Sequence, residues 1–253
     1  MSDLVILHPQ RTGVGGASTA AETNYPEANV TDGPRGRYYR SSSTALTTSN
    51  VYYDLLTTHQ PQYAVWAGIN RMVARDSADI TVNVFGSASS SFTSPETKTD
   101  TVGTADLIGT NNEDFVLETT FATAFRYFRM QVVTTDSVQH TYSKAWVGNY
   151  LDLGVDPARP KRINRVAKDG AVVWHGHTLD LEWKGVSDAN LEAFIENVLN
   201  FPGSPIFLYT KNAASTDSAL NGNRLVHCKV DKATIRKVAP SSNHISCKFI
   251  ELT

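Results

Sequence analysis

Two short stretches, ITVNVF at residues 80–85 and YFRMQVV at residues 127–133, decide the fold class of the first half of the chain. In both, apolar residues alternate with polar ones, which is the period-two pattern of a strand with one buried face. In the second stretch Arg129 and Gln131 take the polar face. The apolar positions are Ile80, Val82, Val84, Phe128, Met130 and Val132. Both stretches therefore predict strands of a β-sandwich, with the small polar residues from Gly86 to Thr104 as a mobile loop between them.

The second half of the chain carries strand patterns of the same kind. Four apolar or alternating stretches occur there, at residues 172–185, 205–210, 224–238 and 244–252. Near Asp156 the composition changes, because two prolines and four basic residues follow a strand end, and we place a domain boundary there. The predicted fold is mainly β, with an N-terminal arm at 1–25, a jelly-roll sandwich at 26–155 and a second sandwich-type domain at 156–253.

One amphipathic helix is predicted from Ser187 to Leu199, inside the second domain. Ser187 is a natural N-cap, Asp188 lies near the positive end of the helix dipole, and Pro202 and Gly203 end the helix. The apolar residues fall on one stripe, at Leu191, Phe194, Ile195, Val198 and Leu199. The stripe predicts a helix packed on the sheet of the second domain, with Phe194 at the centre of the contact.

Composition excludes several classes of function. The 253 residues carry a formal net charge of −2 and a sequence pI near 6.4, so no dedicated nucleic-acid surface is expected. The basic stretch at 159–165 is interpreted as a linker or a subunit contact. Cys228 and Cys247 are expected to be buried free thiols. The first residues have no basic leader and no long apolar run, so we expect neither a secretory signal nor membrane insertion.

The sequence shows no catalytic constellation. The stretch HGH places His175 and His177 on one side of a strand, where both side chains could reach a metal ion, but an ordinary half-buried strand is the alternative. The glycines at 13–16 lack the Lys-Ser/Thr of a phosphate loop, and no serine lies in a Gly-x-Ser-x-Gly elbow. We therefore expect a protein that is not an enzyme, with no cofactor and no metal.

Four stretches of the first half resemble discoidin-type, galactose-binding-like jelly rolls. They are ANVTDGPRGRYYRSSST at 28–44, VYYDLL at 51–56, AGINRMVARDSADITVNVFGS at 67–87 and FRYFRMQVV at 125–133. The resemblance implies that Asp32 and Gly33 form a turn, that Tyr39 lies in or near the core, and that Arg129 lies on a late strand. Candidate surface contacts of the first stretch are Arg37, Tyr38 and Arg40.

The order of elements across the whole chain resembles tail-tip proteins of long-tailed bacteriophages, of the distal-tail and minor-tail type. The similarity is carried by WVGNYLDLGVDP at 146–157 and by the strand, helix and strand at 165–210. It implies a non-enzymatic structural protein of the virion, assembled in the host cytoplasm. It also implies a homo-oligomeric ring of six-fold or three-fold symmetry, formed by the second domain and contacting other tail proteins. Glu196, on the polar side of the helix, is a candidate subunit contact.

Two alternatives from other classes stay open. The first domain could be a carbohydrate-binding module or adhesin for host surface glycans, with aromatic side chains as stacking faces, although core packing is the commoner fate of such rings. The rings in question belong to Tyr38, Tyr39, Tyr63 and Trp66. The other alternative is a hydrolase acting on the cell envelope, which has no motif in its favour.

Overall fold

A computed structural model describes residues 3–9, 14–17, 39–42, 46–69, 80–103, 114–166, 172–201, 204–211 and 225–252, with the backbone alone at 14–17, 159–166 and 172–177. The chain divides into two units. We call Pro9–Asn149 the sandwich unit, and Met1–His8 together with Tyr150–Thr253 the helix-bearing unit.

The chain is mainly β, as expected. In chain order the strands are β1 (Leu4–Pro9), β2 (Val14–Ala17), β3 (Tyr39–Arg40), β4 (Leu46–His59), β5 (Tyr63–Ala67), β6 (Ile80–Ser87), β7 (Glu96–Val102), β8 (Phe115–Glu118), β9 (Phe125–Val138), β10 (Thr141–Tyr142), β11 (Lys144–Leu151), β12 (Ala158–Val166), β13 (Val172–Val186), β14 (Ile206–Thr210), β15 (Leu225–Ala239) and β16 (Ser242–Glu251). A helix, α1 (Asp188–Phe194), continues into a single π-helical segment (Ile195–Leu199).

The sandwich unit packs two antiparallel sheets around one core. The larger sheet has the strand order β2-β4-β9-β6-β7. In the smaller sheet β5 pairs with β11 on one side and with β8 on the other. The short strands β3 and β10 pair with each other. Val82 and Met130 of the larger sheet share a cluster with Trp66 and Val147 of the smaller one. The six apolar positions of the two stretches that predicted the fold are at most 3% exposed, which confirms the predicted alternation.

The hairpin of β6 and β7 corrects one expectation of the sequence. Residues from Gly86 to Thr104 were expected to form a mobile loop, but β6 continues to Ser87 and β7 occupies Glu96–Val102. The strand β7 pairs with β6 from Val102 to Glu96. An edge strand needs only backbone hydrogen bonds on one side, so a polar sequence forms it without burying an apolar face.

The helix-bearing unit contains the sheet order β12-β13-β16-β15-β14, with β1 paired to β14. We expected residues 1–25 to form an arm, whereas Leu4 to Leu7 are buried and pair with Phe207 to Thr210. The division between the units falls at Tyr150 rather than near Asp156. The reason is that Leu151 and Leu153 belong to the core of the helix-bearing unit.

The predicted helix lies where the apolar stripe indicated. The Ser187 side chain caps it by accepting a hydrogen bond from the Asn190 backbone N–H at 3.2 Å, as its N-cap position requires. Phe194 is fully buried and Val198 is 2% exposed, both in the core with β13 and β16. Within the described residues, the helix is the second layer of this unit, packed against a single sheet. The π-helical end was not predicted.

The structure bears on the expectations for the cysteines and for a membrane-spanning helix, whereas some predicted residues lie outside the described ranges. Cys228 and Cys247 are buried free thiols, as predicted, and burial raises the pKa of both. No helix among the described residues is long and apolar enough to cross a membrane. The side chains of His175 and His177, the proposed metal pair, lie outside the described residues, as do Asp32 and Gly33.

Candidate functional site: the outer face of the larger sheet

The larger sheet of the sandwich unit has a face that points away from the core, which we call the outer face. Because side chains alternate along a strand, every second residue of β4, β9, β6 and β7 lies on it. None of these side chains is buried. They are Thr48, Asn50, Tyr52, Asp54, Tyr127, Arg129, Gln131, Val133, Thr81, Asn83, Phe85, Thr97, Thr99 and Thr101. The outer face is thus rich in hydroxyl, amide and aromatic groups.

Four side chains form a hydrogen-bonded amide ladder across the outer face, one from each of β4, β9, β6 and β7. Asn83 Nδ2 donates to Gln131 Oε1 at 2.9 Å, and Gln131 Nε2 donates to Asn50 Oδ1 at 2.9 Å. Thr99 Oγ1 donates to Asn83 Oδ1 at 2.7 Å. The four residues are direct cross-strand neighbours, so the ladder follows from the strand register. These contacts hold the amide planes in fixed orientations.

The next row of the outer face is an aromatic row with an arginine at its centre. Tyr52 and Phe85 are the direct cross-strand neighbours of Arg129. The Arg129 guanidinium carbon lies 4.0 Å from the centroid of the Phe85 ring and 5.1 Å from that of the Phe92 ring. The Tyr52 and Phe92 centroids are 5.7 Å apart. Tyr52, Phe92, Arg129 and Phe85 therefore form a continuous series of flat groups, each in contact with the next.

Phe92 reaches this row from the loop between β6 and β7, which is held in a strained conformation. Phe92 and Ser94 have φ of 52° and 51°, the left-handed region that side chains other than glycine rarely occupy. The Phe92 N–H donates to the Ser89 carbonyl at 3.0 Å. Exposed hydroxyls continue along the loop, with Ser91 Oγ 2.8 Å from Ser89 Oγ and 2.9 Å from Thr93 Oγ1. The strain is offset by the packing of the Phe92 ring.

A charged pair lies at the end of the outer face, one row beyond the aromatic row. Arg126 Nε and Nη2 donate to the two carboxylate oxygens of Asp54, both at 2.7 Å. This bidentate pair holds the pKa of Asp54 below its ordinary value. The Arg126 guanidinium also lies 5.0 Å from the centroid of the Tyr127 ring. Asp54 and Arg126 therefore neutralise each other.

A serine and a histidine lie close together in the sandwich unit, but they are inaccessible. His140 Nδ1 is 2.7 Å from Ser49 Oγ, and His140 Nε2 is 3.2 Å from Thr134 Oγ1. Ser49 is 1% exposed and His140 is fully buried, so a substrate cannot reach the pair. Burial lowers the pKa of His140 to about 4. The cluster therefore satisfies buried polar groups of the core, and the described residues contain no group of three or more metal-ligating side chains.

The residues predicted as contacts do not form one site. Arg37 and Tyr38 lie outside the described residues. Arg40 is half-buried in β3, opposite Thr141 of β10, and it is not part of the outer face. Glu196 is exposed on the π-helical segment of the helix-bearing unit.

The aromatic rings considered as sugar-stacking faces are mostly core residues. Tyr39, Tyr63 and Trp66 are at most 1% exposed, so the alternative of core packing is confirmed for them. For Tyr39 this agrees with the core position that the resemblance implied. The half-exposed rings at the outer face, which the sequence did not single out, are Tyr52, Phe85, Phe92 and Tyr127. For Tyr52, Phe85 and Tyr127 the signal was the polar side of each alternating strand, which carries aromatic residues as well as amides, whereas Phe92 lies in a loop with no such pattern.

Solved structures with a similar fold over about half of the chain come from carbohydrate-active proteins. A Ruminococcus gnavus GH29 fucosidase in complex with fucose has a TM-score of 0.42 at 16% identity, over 55% of this chain and 25% of the fucosidase. A chitosan-binding module of a Paenibacillus sp. chitosanase/glucanase has a TM-score of 0.40 at 16% identity, over 55% of this chain and 98% of the module. A Streptococcus pneumoniae fucose-binding module has a TM-score of 0.41 at 14% identity, over 56% of this chain and 95% of the module.

No family model and no curated protein sequence matches the chain. The similarities to solved structures concern the arrangement of strands, and at this level they assign no ligand to the chain.

Proposed function

We propose that the sandwich unit binds glycans through the outer face of its larger sheet, without chemical turnover. The observation that carries the proposal is the position of the aromatic row directly beside the amide ladder. Pyranose rings present apolar C–H faces that pack on aromatic side chains, and equatorial hydroxyls that both donate and accept hydrogen bonds. A sheet provides both kinds of group on one flat surface.

The amide ladder retains hydrogen-bonding capacity after its internal bonds are counted. Each side-chain amide has two N–H donors and an oxygen that accepts two hydrogen bonds. Asn83 and Gln131 each use one N–H within the ladder, and Asn50 accepts a bond without donating one to a described residue. The internal bonds fix the remaining donors, so a ligand loses little further side-chain entropy when it binds them.

The proposal is tested on the full chain with a glycan array, followed by calorimetric titration of each hit. We expect Tyr52→Ala and Gln131→Ala each to weaken binding at least about tenfold, which corresponds to about 1.4 kcal/mol. Thr101→Ala, on the same face but two rows from the aromatic row, is the matched control and should bind normally. Silence across the array, or equal binding by all variants, would contradict the proposal. Hydrolysis of a bound glycan would contradict the absence of turnover.

A second candidate function is a structural role in a phage tail tip, and one feature of the helix-bearing unit favours it. The outer part of the β15–β16 hairpin carries two exposed apolar side chains, Ile235 at 37% and Val238 at 61% exposure. Exposed apolar groups on a strand are typical of surfaces that pair with another subunit. We propose that this hairpin and Glu196 contribute to contacts between copies in a ring, with other tail proteins as neighbours in the virion.

The second candidate is tested by the mass of the protein in solution and by its presence in phage particles. A closed ring of three or six copies that Val238→Asp dissociates would support it. Leu56→Asp is the matched control, since Leu56 is equally exposed, at 55%, on the sandwich unit. A monomer at high concentration that does not associate with tails would contradict this role and leave glycan binding untouched.

A further inference from the structure

Arg129 is a cation at the centre of the outer face that has no anionic partner. Its side chain makes no hydrogen bond or ion pair with any residue that the structure describes, and its Nε is buried without a hydrogen-bond partner. The other arginine at this end, Arg126, is fully paired with Asp54. An unpaired guanidinium that is partly removed from water is unfavourable unless something else satisfies it.

The rings around Arg129 contact its guanidinium but satisfy none of its N–H donors by hydrogen bonds. The guanidinium carbon lies over the rings of both Phe85 and Phe92, and Nε has no hydrogen-bond partner. The N–H groups of a guanidinium lie in its plane, in a fork that matches the two oxygens of a carboxylate or of a sulfate ester. Because the rings fix the plane of the side chain, little further ordering is required when an anion binds.

The groups next to Arg129 suit a sugar that carries such an anion. Gln131 lies two residues along the same strand, on the same face, and belongs to the amide ladder. Tyr52 is the direct neighbour on β4, and its ring is half-exposed. A sugar ring whose acidic group contacts Arg129 would therefore lie beside the Tyr52 ring. The amide ladder would lie in the next row of the same face.

We propose that Arg129 makes the outer face selective for anionic glycans, in which a carboxylate or sulfate group forms an ion pair with its guanidinium. This inference rests on the proposed glycan-binding function. It adds the class of ligand, and it assigns to one residue the discrimination between acidic and neutral sugars.

The decisive experiment uses the unmodified full chain and matched pairs of oligosaccharides. One pair is a uronic-acid oligosaccharide and its carboxyl-reduced form, and the other is a sulfated oligosaccharide and its desulfated form. We expect the acidic member of at least one pair to bind at least about tenfold more tightly, with an affinity that falls as salt is raised. The two pairs distinguish a carboxylate from a sulfate as the group that is bound.

Variants of Arg129 then test whether this residue is responsible. Arg129→Gln should bring acidic and neutral members to equal affinity, and thermal unfolding like that of the parent reports that the variant is folded. Arg129→Lys keeps the charge without the planar fork and should retain only part of the preference. Lys98→Gln is the control, because Lys98 is a cation of the same unit that pairs with Glu96 at 2.9 Å and is not on the outer face.

The outcomes separate this inference from the function on which it rests. Equal binding of acidic and neutral members by the parent protein would overturn the role of Arg129 and leave glycan binding standing. Binding to an acidic peptide as tight as to the acidic glycan would also overturn it, because the site would then recognise charge alone. No binding to any glycan would remove the proposed function and this inference together.

Discussion

The larger sheet of the sandwich unit and the sheet of the helix-bearing unit each have a face that points away from the core. The polar side chains on these two faces are held in different ways. On the outer face of the sandwich unit, amides and hydroxyls bond each other at 2.7–2.9 Å. On β13, β15 and β16 of the helix-bearing unit, the face opposite the core carries charged residues whose ion pairs are longer. Glu182 lies 3.7 Å from Lys184 and 3.5 Å from His244, and Asp231 lies 3.7 Å from Lys248.

The difference supports the proposal that the outer face of the sandwich unit is the one organised for recognition. Exposed ion pairs at such distances contribute roughly 0–1 kcal/mol and exchange freely with water. A ladder of short bonds between side chains from four strands is ordered before a ligand arrives. The charged face of the helix-bearing unit is typical of a solvated surface, whereas the ordered ladder on the outer face of the sandwich unit supports the proposal that this face binds a ligand. Four predictions test this contrast and the cores beneath the two faces.

The largest loss of stability is expected from a change in the core of the helix-bearing unit. Phe194 is fully buried, so Phe194→Ala should lower the free energy of unfolding of the helix-bearing unit by about 3–5 kcal/mol. The measurement is thermal and denaturant unfolding, with Glu196→Ala as the control on an exposed side of the same helix. Parent-like melting of Phe194→Ala would show that the helix is not part of the core.

The sandwich unit should lose stability in acid through His140. Its pKa is about 4 when folded and 6.5 when exposed, so below pH 6.5 the unfolded chain binds a proton that the folded unit excludes. Stability is then lost as the pH falls from 6.5 to 4, by about 3 kcal/mol in total. Unfolding of the parent and of His140→Gln at several pH values measures this. A variant with the same pH slope as the parent would rule out His140 as the cause.

The amide ladder should contribute measurably to stability as well as to binding. Gln131→Ala removes two side-chain hydrogen bonds, at about 0.5–1.5 kcal/mol each, so we expect a loss of about 1–3 kcal/mol in the sandwich unit. Denaturant unfolding monitored by fluorescence gives the value. Thr101→Ala, outside the ladder, serves as the reference, and an equal loss in both variants would mean that the ladder adds nothing.

The smallest effect is expected on the charged face. Glu182→Gln removes the ion pair with Lys184 and the carboxylate contact with His244, and it should change the free energy of unfolding by no more than about 1 kcal/mol. Raising the salt concentration should reduce even this difference, because exposed charges are screened. A loss larger than that of Gln131→Ala would reverse the contrast between the two faces.

The sequence predicts the strands and the helix better than the candidate site, for a physical reason. Period-two alternation is local, so Phe128, Met130 and Val132 are recognisable as one buried face. The ladder instead joins Gln131 to Asn83 and to Asn50, which are 48 and 81 residues away. Only the strand order brings them together, and a one-residue change of register would break the ladder.

Long-range pairing also explains why two segments lie where the local sequence does not predict them. Phe92 lies in a serine-rich segment with no apolar period, and its position on Arg129 depends on the turn that follows β6. Leu4–Pro9 has a clear apolar run, but its partner β14 is at the far end of the chain, so a free arm was the local interpretation. In both cases the local sequence does not show which distant residues the segment contacts.

The pairing of β1 with β14 has a consequence for synthesis of the protein. The strand β1 cannot pair with β14 until Thr210 has left the ribosome, by which time the whole segment Pro9–Asn149 is already available to fold. We therefore expect the helix-bearing unit, which contains β1, to be completed after the sandwich unit. During that interval the apolar residues Leu4 to Leu7 lack their pairing with β14, so we expect this segment to be a binding site for chaperones until β14 is made.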